Sequence, residues 1–463
     1  MRGSRWWGLA GVAFIGSARL ASGQDAHYWT TAYGTSAQLL GGVTIGSSDG
    51  LSATYYDPGS FALLPRTTFA IAGSAFQFSS VKYDNGLGPR RDLATSSVVG
   101  IPSLLAGEIP IKGFGGHDRL AYSVLSRQSL DLDIEGRNLP LDSAINAPNY
   151  SYTSGTVRLD EHLSEYWAGV TYSHPLNEHI GIGISPYVAI RNQTDRLEGN
   201  AVGVGTNGDA ATALRDYDFS YSNWRLLAKL GVGFVYPRIR AGLVLTTPGL
   251  KILGSGDVGR TDITVNQGVG GTGLPPPTVA VDYQENLSSS YHSPLAIGAG
   301  GSYALGPDNE LTTVHASVEW YNSVGHYSLL SPLPFTPATG GAALSGTVQQ
   351  QLQSVVNVGV GLEHAFGPKF TGYASFRTDQ SALGPAQDNN SLVARWDLRH
   401  VTGGVQWTIG RSDIVLGGDF AFGATTQSSD IGMTSSGAPL VPAGARVGYE
   451  AFTLIFGFRL AGP

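Results

Sequence analysis

Residues 180–191 read IGIGISPYVAIR, and their alternation decides the fold. The even positions are Ile180, Ile182, Ile184, Pro186, Val188 and Ile190; the odd ones are Gly181, Gly183, Ser185, Tyr187, Ala189 and Arg191. A period of two sends alternate side chains to opposite faces of an extended chain. This stretch therefore reads as a strand with one apolar face and one small or polar face. The pattern recurs at 224–234, 314–321, 356–363 and 399–409, and the last strand carries Phe452, Leu454, Phe456, Phe458 and Leu460 on one face. Runs of about ten residues are what a tilted strand needs to cross a bilayer.

Working outward, the sequence predicts 14 strands, at 67–80, 95–109, 118–135, 153–173, 179–192, 214–236, 238–257, 278–304, 310–322, 354–365, 370–379, 397–410, 412–424 and 446–460. Pro294 interrupts the eighth, so a bulge or bend is expected there. The connections alternate between short and long. Short ones fall at 110–117, 174–178, 237, 306–309, 367–369 and 411; long ones lie near 81–94, 136–152, 193–213, 258–277, 323–353, 380–396 and 425–445. Short turns at one end and long loops at the other mark an outer-membrane barrel, and an even strand number returns the chain to its starting side. A β-sandwich has no reason to gather its long loops at one end, and no propeller-like repeat of about 40 residues is present.

Composition agrees. Charged residues make up 14% of the 463-residue chain, against about 25% in ordinary soluble domains. Gly is abundant at 64 residues, about twice the usual share. There is no cysteine, which excludes a disulfide framework or thiolate site, and the net charge of −7 argues against nucleic acid as a partner. After the first residues no stretch of about 20 apolar residues offers a membrane helix. A closed sheet can still live in lipid, because it satisfies its backbone groups internally.

The N-terminus reads as a secretory leader, residues 1–23. Arg2 and Arg5 precede an apolar core from Trp6 to Ile15, and Ala21-Ser22-Gly23 offers small residues for cleavage before Gln24. Residues 24–64 then form a compact, nearly uncharged segment rich in glycine, with neither strand period nor long helix. Placed before so many strands, it is expected to pack inside them as a hatch, with 65–463 as the barrel. Its Gly41-Gly42 step, its Tyr55-Tyr56 pair and the turn Asp57-Pro58-Gly59-Ser60-Phe61-Ala62-Leu63 resemble the N-terminal hatch of the bacterial outer-membrane long-chain fatty acid transporters, the FadL/TodX family. That family's turn usually reads Asn-Pro-Ala; here the proline is kept and its neighbours differ. The resemblance continues through 237–256, 294–320 and 397–417. It departs at the C-terminus, where Ala461-Gly462-Pro463 follow the last strand in place of a terminal aromatic residue.

The fold class expected is therefore all-β: a 14-stranded antiparallel transmembrane barrel with a small N-terminal luminal hatch, in the bacterial outer membrane. The resemblance implies a channel, and a monomer, for passive uptake of long-chain fatty acids or other hydrophobic small molecules, aromatic hydrocarbons included. In that family an apolar pocket is gated by the hatch, and release follows a lateral opening beside an inward-kinked strand. Besides ligand, the expected partner is membrane lipid. An apolar ligand gains about 0.8 kcal/mol per buried CH₂, so a plugged barrel with an apolar pocket suits it better than an open polar pore. Candidate ligand or gating residues are Leu39, Leu40, Tyr55, Tyr56, Asp57, Pro58 and Phe61 in the hatch, with Arg225 and Lys229 on the wall as cations suited to a carboxylate. The bland reading of the hatch residues is packing. That of Arg225, Lys229, Glu319, Glu363, Arg377 and Asp419 is a mutually paired lining of the lumen. Trp167, Tyr172, Tyr236, Trp320, Trp396 and Trp407 are expected in an interfacial girdle.

Catalysis finds little support. His315 and Glu319 share a face but stand roughly 13 Å apart along a strand, and His162 and His174 lack metal-ligand spacing. No nucleophile elbow, zincin motif or phosphate loop occurs. No enzyme, cofactor or metal is expected. Two alternatives remain: a barrel serving as adhesin, receptor or structural protein through its long loops, 323–353 above all, and a barrel lipase using a serine with His315 or His400.

Overall fold

The computed structural model describes residues 26–85, 92–110, 117–137, 150–205, 210–267, 277–307, 310–383, 396–426 and 446–461. The expected leader, residues 1–23, lies outside the described residues.

Alternation does what it predicts. Sixteen strands form one antiparallel sheet that closes on itself. They are β1 (Thr67–Tyr83), β2 (Leu93–Ile109), β3 (Arg119–Arg137), β4 (Tyr150–Pro175), β5 (Ile180–Gly205), β6 (Ala210–Val235), β7 (Ile239–Thr246), β8 (Leu250–Gln267), β9 (Thr278–Leu287), β10 (Ala296–Leu305), β11 (Thr312–Tyr321), β14 (Val355–Ala365), β15 (Phe370–Asp379), β16 (Leu398–Ile409), β17 (Ser412–Thr426) and β18 (Arg446–Ala461). β12 (Val324–Leu330) and β13 (Val348–Leu352) make a separate hairpin. β1 pairs with β18, and β5 pairs with β6, so the wall has no free side edge. Both β7 and β8 pair with β6 in register and are two pieces of one wall strand; β9 and β10 are likewise pieces of the next. Sixteen segments with two strands split in two make 14 wall strands.

The apolar faces point outward. Ile182, Ile184, Leu226, Leu230, Val358, Val360, Phe452 and Phe456 are exposed, while their alternating neighbours are buried in the lumen. This outward belt is what lipid would cover, and it makes the molecule an integral β-barrel of the outer-membrane type.

Several expectations need correction. The loop expected near 193–213 is mostly strand: β5 runs to Gly205 and β6 begins at Ala210. β4, β5 and β6 have 26 residues each, far beyond the roughly ten that span a membrane. Above the lipid a strand can be polar on both faces, as in 191–198 (RNQTDRLE), so alternation of hydrophobicity stops while pairing continues. The bend expected at Pro294 occurs, as the break between β9 and β10. The break at Thr247-Pro248-Gly249 was read through as strand. Trp167 and Trp396 are not girdle residues: both are buried in the lumen, Trp167 against Tyr187 and Trp396 stacked on Tyr449. Tyr172, Tyr236 and Trp407 are exposed.

Residues 26–64 lie inside the barrel. They form two short helices, α1 (Thr35–Leu39) and α2 (Ala53–Tyr56), with 3₁₀ turns at Gly50–Ser52 and Ser60–Leu63. They touch the wall on every side: Gln38 reaches Ser103 of β2, Ala62 N bonds Ser173 of β4, Arg240 of β7 pairs with Asp49, and Ile45 N bonds Ser317 of β11. At the long-loop end the β12–β13 hairpin turns into the mouth, packing Leu329, Leu330 and Val348 on Phe219, Tyr221, Val258 and Tyr291. The 323–353 segment is thus partly lid and partly surface.

Candidate functional site

The hatch is seated on glycines. Leu39 and Leu40 are buried against Tyr373, Val415 and Ile455. A Cβ on Gly404 would stand 2.6 Å from Leu39 Cδ2, and one on Gly361 2.8 Å from Leu40 Cδ2. The small members of the alternating lumen face are therefore sockets. Asp57-Pro58-Gly59 makes a second seat across β5 and β6, where a Cβ on Gly231 would lie 2.6 Å from Asp57 Oδ1. Gly46 turns with φ +70° and brings its backbone onto Gly242, a conformation and an approach that a side chain would block. Asp57 Oδ1 accepts from Gly59 N at 3.0 Å, but its buried Oδ2 has no hydrogen-bond partner. Burial pushes the Asp57 carboxyl up to about 7, against the pull of hydrogen bonds from Gly59 and Ser60. Phe61 is buried beneath the Arg119 guanidinium, 4.0 Å from its ring centroid.

The N-terminal strap of the hatch, residues 27–30, is clamped by polar groups. Asp379 Oδ1 accepts from Tyr28 N at 3.0 Å and Trp29 N at 2.9 Å, and Oδ2 from Thr30 Oγ1 at 2.9 Å. Arg377 donates from Nε to Trp29 O at 3.0 Å and from Nη1 to Asp419 Oδ1 at 2.9 Å. Arg127 and Gln128 donate to the Tyr28 and His27 carbonyls, each at 2.7 Å.

Between strap and wall lie two adjoining cavities of about 20 and 40 Å³, sharing Tyr28, Tyr55, Lys229 and Glu319. The first adds Trp29, Ile45, Tyr56 and Val244; the second adds Arg127, Trp167, Leu227, Thr246, Pro294 and Tyr321. Lys229 Nζ sits 4.0 Å over the Tyr55 ring and 4.0 Å from Glu319 Oε1. Glu319 also accepts from Trp29 Nε1 at 2.8 Å and the Tyr321 hydroxyl at 2.6 Å. The lining is aromatic, with one close cation–carboxylate pair. Arg225 lies deeper, fully buried. It pairs with Glu165 at 2.9 Å and stacks on Tyr291, which Arg191 covers from another side. Of the predicted residues, Tyr55, Tyr56 and Lys229 meet at the cavities. Leu39, Leu40, Asp57, Pro58 and Phe61 meet the wall, and Arg225 joins an ion-pair cluster. Arg377–Asp419 and Arg225–Glu165 are paired as a lumen lining would be.

Sequence reasoning missed Tyr28, Arg127, Glu165, Trp167, Arg191, Tyr291 and Tyr321. Tyr28 lies in the strap, each of the others lies on the small or polar face of a strand or beside a break, and no local spacing marks any of them. His162 and His174, which offered no partner in sequence, pair across strands with Asp131 and Asp118, each at 2.6 Å. Among the described residues no group of three His, Asp or Glu side chains could hold a metal. Ser47 Oγ meets His315 Nδ1 at 3.0 Å, but both are buried between hatch and wall; His400 Nδ1 meets Asp419, and its Nε2 finds no partner.

The wall opens beside this site. β2 pairs with β3 only from Leu104–Leu125 to Ile109–Leu120. Beyond that point β2 continues on β1 and β3 on β4, with a bulge at Arg127, and no ladder joins them. A cavity of about 30 Å³ occupies the gap, lined by Ser97 and Val99 of β2, Ser129 and Leu130 of β3, and His27 of the strap.

A closed barrel with an internal hatch and a local gap in its wall defines a plugged outer-membrane barrel. No protein-family model matches the chain, and no curated protein matches it in sequence. In three dimensions it is similar over most of its length to solved structures of this kind. A FadL homologue of Pseudomonas aeruginosa aligns with a TM-score of 0.59 at 11% identity, covering 94% of this chain and 100% of that one. The toluene transporter TodX of P. putida aligns at 0.60 and 12%, covering 93% and 99%. The toluene transporter TbuX of Ralstonia pickettii aligns at 0.50 and 12%, covering 93% and 99%. The chain has the FadL/TodX-type fold.

Proposed function

We propose that this protein is an outer-membrane channel for passive uptake of small hydrophobic molecules, gated by residues 26–64. The reading rests on one observation above others: an aromatic cavity between hatch and wall lies close to a gap where β2 and β3 are unpaired. A barrel filled by a hatch offers an apolar solute no straight aqueous path, whereas an unpaired stretch of wall offers a sideways one into lipid. Similar solved structures are named as toluene transporters, which favours a monoaromatic ligand. The cavity volume argues the same way. About 40 Å³ is less than the roughly 150 Å³ of a benzene-binding cavity, so any ligand requires the hatch to shift, and a small ring needs less rearrangement than a fatty acyl chain.

In this reading Tyr55 and Tyr56 move with the hatch and enlarge the cavity. Leu39, Leu40, Asp57, Pro58 and Phe61 set how firmly the hatch is seated. Lys229 and Arg225 carry the counter-ions Glu319 and Glu165. The test is uptake of radiolabelled toluene and oleate by outer-membrane-bearing cells with and without the full chain. Faster toluene uptake supports the reading. Equal uptake of both probes with and without correctly folded barrel, judged by heat-modifiable gel mobility, sinks it.

A further inference from the structure

The wall has a second interruption, between the seventh and eighth strands. The β7–β10 ladder ends at Thr246–Ala296, and the β8–β9 ladder begins at Gly256–Leu287. Between those pairs the two strands are laced only by Gly249 N to Ser293 Oγ at 2.8 Å, Lys251 Nζ to Ser288 Oγ at 2.7 Å and Ser289 N to Gly254 O at 3.3 Å. Pro248 and Pro294 supply no N–H on the facing edges, which is one reason a ladder cannot form.

The eighth strand turns into the lumen here. Ser289 passes over the inner side of Gly254 to bond β6, donating from Oγ to Ser222 O at 2.8 Å and accepting from Asn223 Nδ2 at 3.3 Å. Tyr291 follows it inward and ends 4.4 Å from the Arg225 guanidinium. The edge it abandons is left open to the outside: Leu250 and Leu253, paired with the outward Leu226 and Trp224, are exposed at 70% and 52%, and Ile252, in the bulge between them, at 54%. The break lies opposite Ala228, Leu226 and Trp224 of β6, beyond which the outward residues are Ser222 and Ser220, so it takes in the long-loop half of the apolar belt and its rim.

The 40 Å³ cavity reaches this break, since Thr246, Thr247, Ser293 and Pro294 line it. Two buried residues nearby carry donors without an acceptor. Thr246 Oγ1 has no hydrogen-bond partner, nor has Arg225 Nε or Nη1. Buried polar groups are nearly always satisfied, so orphans beside a cavity point to a ligand group or water that completes them.

We propose that this break is a second lateral portal. Through it a small aromatic molecule bearing a hydrogen-bond acceptor passes between the membrane interface and the central cavity. The portal stands five strands round the wall from the β2–β3 gap and rests on the channel reading above. The Ser293–Gly249 contact is its latch: one side-chain hydrogen bond closes the wall where a backbone ladder would close it permanently.

The chain has no cysteine, so an introduced pair is the only thiol pair present. Gly249→Cys with Ser293→Cys locks the portal when oxidised, because a Cβ on Gly249 stands 2.9 Å from Ser293 Oγ. Thr35→Cys with Gly457→Cys ties the hatch to β18, because a Cβ on Gly457 stands 3.1 Å from Thr35 Cγ2. Uptake of benzyl alcohol and toluene is compared in the oxidised and dithiothreitol-reduced states, with heat-modifiable mobility as the check on folding. The expected result is a loss of half or more of benzyl alcohol uptake in the oxidised portal lock, recovered on reduction, and faster uptake in Ser293→Ala. Unchanged uptake with the portal locked, while the hatch lock abolishes it, overturns the portal and leaves the channel standing. Uptake indifferent to both locks and to the chain itself removes the channel reading and the portal with it.

Discussion

The two flanks of the hatch are held by opposite physics. On the α1 side, Leu39 and Leu40 sit dry in glycine sockets of β14, β16 and β17, with Tyr373, Val415 and Ile455 around them. On the strap side, residues 27–30 hang on Asp379, Arg377, Arg127 and Gln128. Apolar contact is non-directional and weakens smoothly as surfaces part. A charge-assisted hydrogen bond is directional and is exchanged for one to water once the strap shifts. The cavities lie on the polar flank. In the proposed channel, the side that parts for a ligand is the side whose bonds water can replace, and the apolar flank is the anchor.

Removing Arg377 gives the largest effect. Arg377→Ala strips the Trp29 carbonyl of its donor and leaves Asp419 buried without its cation, which costs about 4 kcal/mol when one partner of a buried pair is lost. Hydrogen exchange at the Tyr28, Trp29 and Thr30 amides is expected to accelerate while β15–β17 stay protected. Unchanged exchange there would break the distinction between clamp and anchor. Leu39→Ala comes next, at about 3 kcal/mol for a buried leucine whose socket cannot collapse. It should loosen residues 35–45 before residues 28–30. If both regions loosen together, the hatch is one cooperative unit and the two-flank description fails.

The smallest effect is a pH dependence at Asp57. Its seated carboxyl has a pKa of about 7 against an ordinary 3.8, because burial disfavours the charge. The seated state thus binds the proton more tightly than a hatch released to water. The contribution to seating is complete below about pH 4 and is lost as pH rises through 7. Between pH 5 and 7 this amounts to about 2 kcal/mol. Limited proteolysis of the hatch should be slower at pH 5 than at pH 7, and Asp57→Asn should flatten the difference. An equally steep profile in the variant would assign the titration to another group.

Much of this was legible in the chain. Period-two alternation fixed the strands because lipid on one side and hatch or water on the other impose opposite demands on neighbouring residues. The nearly uncharged, glycine-rich 27–64 stretch announced something to be packed inside. Pro294 gave away the bend in the eighth strand. The candidate site was less legible. Tyr55, Tyr56 and Lys229 were named and meet at the cavities, but their partners come from β3, β4 and β11. Trp167 and Trp396 misled because a tryptophan near a strand end has the same sequence signature whether it faces the interface or the lumen.

The sequence by itself determined the barrel, its strand number and the presence of a plug, since these follow from local periodicity and composition. Tertiary structure alone decided where the wall stays unpaired, which glycines serve as sockets and which carboxylate meets which guanidinium. Those depend on strand register and on which residues the closed sheet sets opposite one another. Glu165 and Arg225 are 60 positions apart in the chain and 2.9 Å apart across the lumen lining.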